Sequence, residues 1–289
     1  MEALLTYWYL FPLSIAIATI AMATGIGGAV FFSPIFMVVL GLKPHIAVGA
    51  ALFTELFGFA SGLYAYVRSK LIDYKIGLNL LIVAIPLALT GAYFSDAFPD
   101  TVVKSIFGLG IIVIGSQLYI AYRNEKQERE ALKDELAATP EGNHTSCLVD
   151  KEGNTYRYTI KQRWLGQLFA SVGGFFVGLI SVGLAEILEY RLVAQCRVPP
   201  PVAVASSIFV VVVTILVASG FHAYTFLTHA DAAAYEQVGS IVLFTVPGVV
   251  IGGQIGPQLQ KRLNPDTTKL FIAGLFVAVG IFMVTNALV

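Results

Sequence analysis

Ten apolar runs, separated for the most part by short polar turns, constrain this chain more than any other feature. They cover roughly residues 5–24, 28–42, 46–66, 77–96, 102–122, 164–180, 185–196, 202–222, 238–257 and 268–288. About 20 apolar residues in helical form cross the ~30 Å hydrocarbon layer of a bilayer. Helices also satisfy their own backbone polar groups there. Composition agrees with that reading: 57% of residues are hydrophobic and 12% charged, against roughly 45–50% and about 25% in soluble domains. The chain is therefore expected to be an all-α polytopic membrane protein embedded in a lipid bilayer. No basic segment precedes the first run, so no cleavable signal peptide is expected. With 18 Lys+Arg against 18 Asp+Glu the net charge is zero, which argues against a nucleic-acid partner. Two cysteines, Cys147 and Cys196, and four scattered histidines give neither a disulfide framework nor metal-ligand spacing. No metal and no cofactor is expected.

The charges are segregated. Sixteen of the 36 lie between Arg123 and Arg163, eight of each sign. On either side of this segment the sequence repeats itself. Shifting it by 156 residues places Lys43-Pro44-His45-Ile46-Ala47-Val48 on Pro199-Pro200-Pro201-Val202-Ala203-Val204, and Gly27 on Gly183. A slightly larger offset pairs Ile85-Pro86 with Val246-Pro247, and further on Pro99-Asp100-Thr101 matches Pro265-Asp266-Thr267. Each match is weak by itself; their conserved order carries the argument. Residues 1–122 and 164–289 are thus two membrane repeats, and 123–163 is a linker. Within the linker, Asp150-Lys151-Glu152-Gly153-Asn154 between two short β-prone runs predicts a hairpin.

Lys and Arg counts orient the chain, because cytoplasmic loops are enriched in them. The linker and loop 67–76 (Arg68, Lys70, Lys75) are expected inside. Loops 97–101 and 223–237, without Lys or Arg, are expected outside, with both termini. Parity then requires segments 5–42 and 164–197 each to enter and return to the same side. The result is two inverted-topology repeats, each a broken-helix hairpin plus three transmembrane helices. Whether the hairpins span fully or re-enter is left open by the sequence. Such repeats, with binding at the broken helices, characterise secondary transporters.

Polar groups inside apolar runs are the candidate functional residues. In the first half they are Thr24, Ser33, Thr54 and Glu55; in the second, Ser181, Glu186, Glu189, Arg191, Ser206, Ser207 and Thr214. The breaks at Gly25, Gly27 and Gly28 and at Ser181 and Gly183 expose backbone N–H groups suited to an anion. Tight packing through small residues is the alternative. Glu55, Glu186 and Glu189 are candidates to carry a coupled proton. The alternative for Glu55 is a neutral, hydrogen-bonded structural role. Arg191 either binds an anion or snorkels to the cytoplasmic surface. Ser206 and Ser207 are either helix caps or oxyanion donors.

Thr24-Gly25-Ile26-Gly27-Gly28, Ser33-Pro34 and Gly41-Leu42-Lys43-Pro44-His45-Ile46-Ala47-Val48-Gly49, together with Pro199-Pro200-Pro201-Val202-Ala203-Val204-Ala205-Ser206-Ser207, resemble the two repeats of the sulfite exporter TauE/SafE family. The resemblance implies a prokaryotic inner-membrane permease for small sulfur-containing anions such as sulfite or organosulfonates. This chain departs from the family pattern at the second break, which gains carboxylates, and in its long linker. The expectation is a secondary transporter, an exporter working by alternating access with a proton as candidate coupling ion. An importer, an anion channel and an intramembrane enzyme are the alternatives. No nucleophile–base pair supports the enzyme. The oligomeric state is not readable from the sequence.

Overall fold

Proline decides where the two central helices begin. Pro44 opens α3 (Pro44–Ser69) and Pro200 opens α8 (Pro200–His229); a ring with φ preset and no N–H costs nothing in a first helical turn. The computed structural model describes residues 6–24, 27–132, 146–158, 163–196, 198–229, 232–260 and 265–288. Ahead of α3 come α1 (Leu10–Thr24) and α2 (Ala29–Pro34), which runs into a π-helical turn at Ile35–Val39. After it come α4 (Tyr74–Ala97) and α5 (Asp100–Leu132). The second half has α6 (Arg163–Ile180), α7 (Leu184–Tyr190) with a π-helical turn at Arg191–Gln195, then α8, α9 (Ala232–Gln260) and α10 (Pro265–Leu288). Both the π turns (35 and 191) and the proline helix starts (44 and 200) recur 156 residues apart.

Among the described residues six helices, α3, α4, α5, α8, α9 and α10, are long and apolar enough to cross a membrane. The chain is an all-α polytopic membrane protein. The other apolar helices are shorter: α1, with 15 residues, extends about 22 Å at 1.5 Å per residue, short of the ~30 Å core. The broken segments therefore have legs of sub-membrane length.

The packing pairs are α1 with α9, α6 with α4, α5 with α10 and α3 with α8; α3 also meets α9, and α8 meets α4. Exchanging the first five helices for the last five returns the same set of pairs. Glycine explains how close α6 and α4 come: a Cβ on Gly174 would lie 2.5 Å from the Ala84 carbonyl oxygen. Likewise for α9 and α1, a Cβ on Gly248 or Gly252 would lie 2.7 and 2.5 Å from the carbonyl oxygens of Phe11 and Ile15. Side-chain-free contact faces of this kind replace the hydrophobic driving force that lipid cannot supply.

Between α5 and α6, β1 (Ser146–Val149) pairs antiparallel with β2 (Thr155–Tyr158), Ser146 facing Tyr158. Asp150 closes the turn by accepting from the N–H groups of Glu152 and Asn154, both at 2.9 Å, and from the Asn154 side chain at 2.8 Å. These bonds, the Asn154 side chain first, hold its carboxyl below the ordinary range. The hairpin docks on the α3–α4 turn: Lys151 N–H donates to the Ser69 carbonyl (3.1 Å), and the Tyr158 hydroxyl donates to Asp73 (2.7 Å). Burial pushes the Tyr158 phenol well above its usual range, with the Asp73 bond adding to the effect. Asp73 also caps α4 through the N–H groups of Lys75 and Ile76.

Candidate functional site

The two chain breaks meet. At the first, the Gly27 N–H donates to Glu186 Oε1 across the halves at 3.4 Å, and the Ala29 N–H donates to Glu55 Oε1 at 3.0 Å. The Ser33 and Ser181 hydroxyls lie 2.6 Å apart. Glu55 and Glu186 are buried, 5% and 9% exposed. A Cβ on Gly27 would stand 2.5 Å from Glu55 Oε1 and 3.9 Å from Glu186 Oε1. The missing side chain at residue 27 is thus what lets the Glu55 carboxylate reach the break, whereas Glu186 stands at ordinary contact distance. The neighbour that this glycine admits is a carboxylate. At the second break, Gly183 opens α7 with φ +116°, a conformation open to glycine at little cost.

The Gly27 and Ala29 amides of the first break are therefore satisfied by the protein's own carboxylates. Beside them, a cavity lined by Gly28, Phe32, Glu55, Gly58, Phe59 and Val249 has a volume of about 20 Å³. That is space for about one water molecule. An oxyanion fits here only after a carboxylate has moved.

The remaining candidates distribute around this centre. Thr54 is buried, its hydroxyl 2.9 Å from that of Thr245 on α9. Thr214 bonds back to the Val210 carbonyl of its own helix (2.7 Å). Ser206 and Ser207 sit in the second turn of α8, because the helix starts at Pro200; neither is its N-cap. Ser206 instead accepts the Asp73 N–H at 2.9 Å, tying α8 to the start of α4. The Ser207 hydroxyl is buried with no hydrogen-bond partner among the described residues. Arg191, 4% exposed, opens the π turn and does not snorkel to the surface. Glu189 is half-buried one turn beyond Glu186. Gly25 and the Thr24 side chain lie outside the described residues.

Thr245 and His222 are two of the buried polar groups that escaped the sequence reading. Thr245 is a single hydroxyl in an apolar run. His222 stood at the end of a run, whereas α8 continues to His229, which leaves His222 6% exposed. Its Nε2 lies 2.9 Å from the Gly178 carbonyl oxygen. Among the described residues no group of His, Cys, Asp and Glu could hold a metal ion.

A family model described as sulfite exporter TauE/SafE matches residues 10–283. The probable membrane transporter protein YunE of Bacillus subtilis is 24% identical over 283 residues, 96% of each chain. A second protein of that organism, the probable membrane transporter protein YjnA, is 24% identical over 278 residues, 90% of this chain and 93% of its own. The probable membrane transporter protein MJ0441 of Methanocaldococcus jannaschii is 20% identical over 270 residues, 90% of this chain and 88% of its own. No solved structure matches.

Proposed function

The chain belongs to the sulfite exporter TauE/SafE family, and on that premise we propose that it is a secondary transporter of a small sulfur-containing oxyanion, coupled to protons at Glu55 and Glu186. The observation that carries the proposal is the meeting of the two breaks, with Ala29 and Gly27 N–H groups donating to those carboxylates. A carboxylate and an oxyanion compete for the same donors. Protonating Glu55 or Glu186 removes the negative charge that repels the anion and weakens the hold of the amides on the carboxyl. Amides, with the Ser33 and Ser181 hydroxyls beside them, then receive the substrate, and Arg191 and Ser207 are the further groups offered to it. Glu189, half-buried near by, is the third proton candidate. Ser206 ties α8 to the start of α4, and Thr54 pairs with Thr245.

On this reading proton and anion travel together. A high internal anion concentration drives both out, which is export; external acidity drives both in. Two halves of the same helix order, packed in an exchange-symmetric set, favour the inverted repeat and alternating access about the break. The legs of sub-membrane length favour hairpins that re-enter. The cytoplasmic side is assigned to the linker end, in a prokaryotic inner membrane.

Flux of labelled sulfite, sulfoacetate and sulfate from proteoliposomes tests this. Acidifying the compartment that holds the anion should accelerate its exit, with saturation. Glu55→Gln should remove that dependence on pH. Unsaturable flux indifferent to pH would instead indicate a channel.

A further inference from the structure

A cavity of about 260 Å³ opens at the end of the molecule away from the hairpin, lined by residues of α3, α4, α8 and α9, His45, Asp96, His222 and Tyr235 among them. His45 Nε2 is 3.7 Å from Asp96 Oδ1, and both side chains are partly exposed. His222 enters from α8. A carbonyl oxygen can only accept, so the bond to Gly178 places the proton on Nε2 and leaves Nδ1 as a base. That ring fits because residue 49 of α3 is glycine: a Cβ there would stand 2.8 Å from His222 Cβ.

The cavity follows the α3–α9 seam. His45, Gly49 and Phe53 recur every four residues on one face of α3, and Tyr235, Val238 and Val242 face them from α9. One turn deeper the seam is bridged by the Thr54–Thr245 hydroxyl pair. Beyond that lies the small cavity formed by Glu55 and Gly58 of α3 with Val249 of α9. The counterpart seam, α8 with α4, is sealed by the Asp73–Ser206 bond and by Tyr74 packed on Phe209.

We propose that the α3–α9 seam is the proton's path between outer water and Glu55, with the His45–Asp96 pair and His222 as the groups that load it. Histidine and carboxylate side chains in transmembrane helices are the usual members of proton relays. The cavity has room for several waters next to these groups. Each hydroxyl of the threonine pair both donates and accepts, so a proton passes inward from oxygen to oxygen while another leaves, and charge balances. The charged and titratable groups facing the histidines are Asp96 and Asp100 at the α4–α5 turn, Lys43 ahead of α3, and Tyr235 on α9; Glu55 faces Glu186. The inference rests on the proton-coupled reading of Glu55.

The test uses the full chain in proteoliposomes and compares two fluxes of labelled sulfite. Net flux driven by a pH gradient requires the proton to leave the carrier; anion-for-anion exchange at equal pH does not. His222→Gln and His45→Asn should lower net flux by about tenfold or more while exchange stays near the wild-type rate. Thr245→Val should do the same and Thr245→Ser should restore net flux. Should His222→Gln lose both fluxes through misfolding, Asp96→Asn and His45→Asn decide, since both side chains are partly exposed. Unchanged net flux in those two variants overturns the relay. A wild-type protein whose net flux ignores pH overturns the proton-coupled reading itself, a separate outcome.

Discussion

Gly27 is the residue on which most converges. Alanine there puts a methyl group at 2.5 Å from Glu55 Oε1, and no real Cβ tolerates that approach. The carboxylate must swing away and abandon the Ala29 amide, a loss of about 1–3 kcal/mol for a buried group left unsatisfied. The methyl group also fills the space through which an anion must approach the Gly27 and Ala29 amides, so Gly27→Ala should lower sulfite flux roughly tenfold or more, at about 1.4 kcal/mol per factor of ten. Gly28→Ala meets the Phe32 ring at 3.4 Å, which can turn, and the Ala21 Cβ at an ordinary 3.9 Å, and should cost much less. Equal losses in the two variants would argue that the break is merely crowded. Glu55 was legible in the sequence because a carboxylate ten residues inside an apolar run demands a partner. The identity of that partner was not legible: Ala29 carries no side-chain signal, and Glu186 is brought to Gly27 by the fold.

Helix-level features divide in the same way. The proline starts of α3 and α8, the breaks and the hairpin all rest on local chemistry, and each stands close to where its residues suggested. Boundaries fixed by packing do not. The run ending near residue 222 continues to His229, and α9 begins at Ala232, so the broad loop expected over 223–237 is largely helix. Serines 206 and 207, weighed as caps, lie inside α8. The docking of the hairpin was likewise invisible, since Tyr158 and Asp73 lie 85 residues apart. Tyr158→Phe removes that bond, and a net loss of about 0.5–1.5 kcal/mol is expected. Faster proteolysis of the linker at unchanged thermal stability of the membrane helices would register it. Acid gives a second reading of the hairpin. Asp150 has a depressed native pKa, so its contribution is present above the unfolded value of about 3.9 and is lost only as pH falls through the native one. Hydrogen exchange of the Glu152 and Asn154 amides should stay slow on acidification to about pH 4 and rise below it. Tyr158 behaves oppositely: its raised pKa keeps the docking hydroxyl protonated through alkaline pH beyond the ordinary tyrosine range.

Across the whole molecule the two ends differ in chemistry. One carries the hairpin seated on Ser69 and Asp73, beside Arg68, Lys70 and Lys75. The other carries the His45–Asp96 cavity, with the α4–α5 turn and the end of α8 around it. The basic segments assigned to one compartment by their charge are thus in contact, and the loops poor in Lys and Arg share the far end. Either end alone would be weak ground for orientation. Together they leave one binary choice, because a six-helix body cannot place its two ends in the same compartment. On the positive-inside bias we propose the hairpin end as the cytoplasmic one. The chain carries its own reporter for that choice: Cys147 is exposed on β1, while Cys196 is buried. A membrane-impermeant maleimide added to intact cells should leave Cys147 unmodified and label it once the membrane is opened. In a Cys147→Ser background, Pro99→Cys and Thr228→Cys, both at exposed positions, should react without opening the membrane. Labelling of Cys147 from outside, with both of these silent, would invert the protein in the bilayer and reverse the direction of every flux argued from the cavity. Labelling of Pro99→Cys and Thr228→Cys from opposite sides would break the packing of α4 beside α8 on which the cavity, the relay and the inverted repeat all depend.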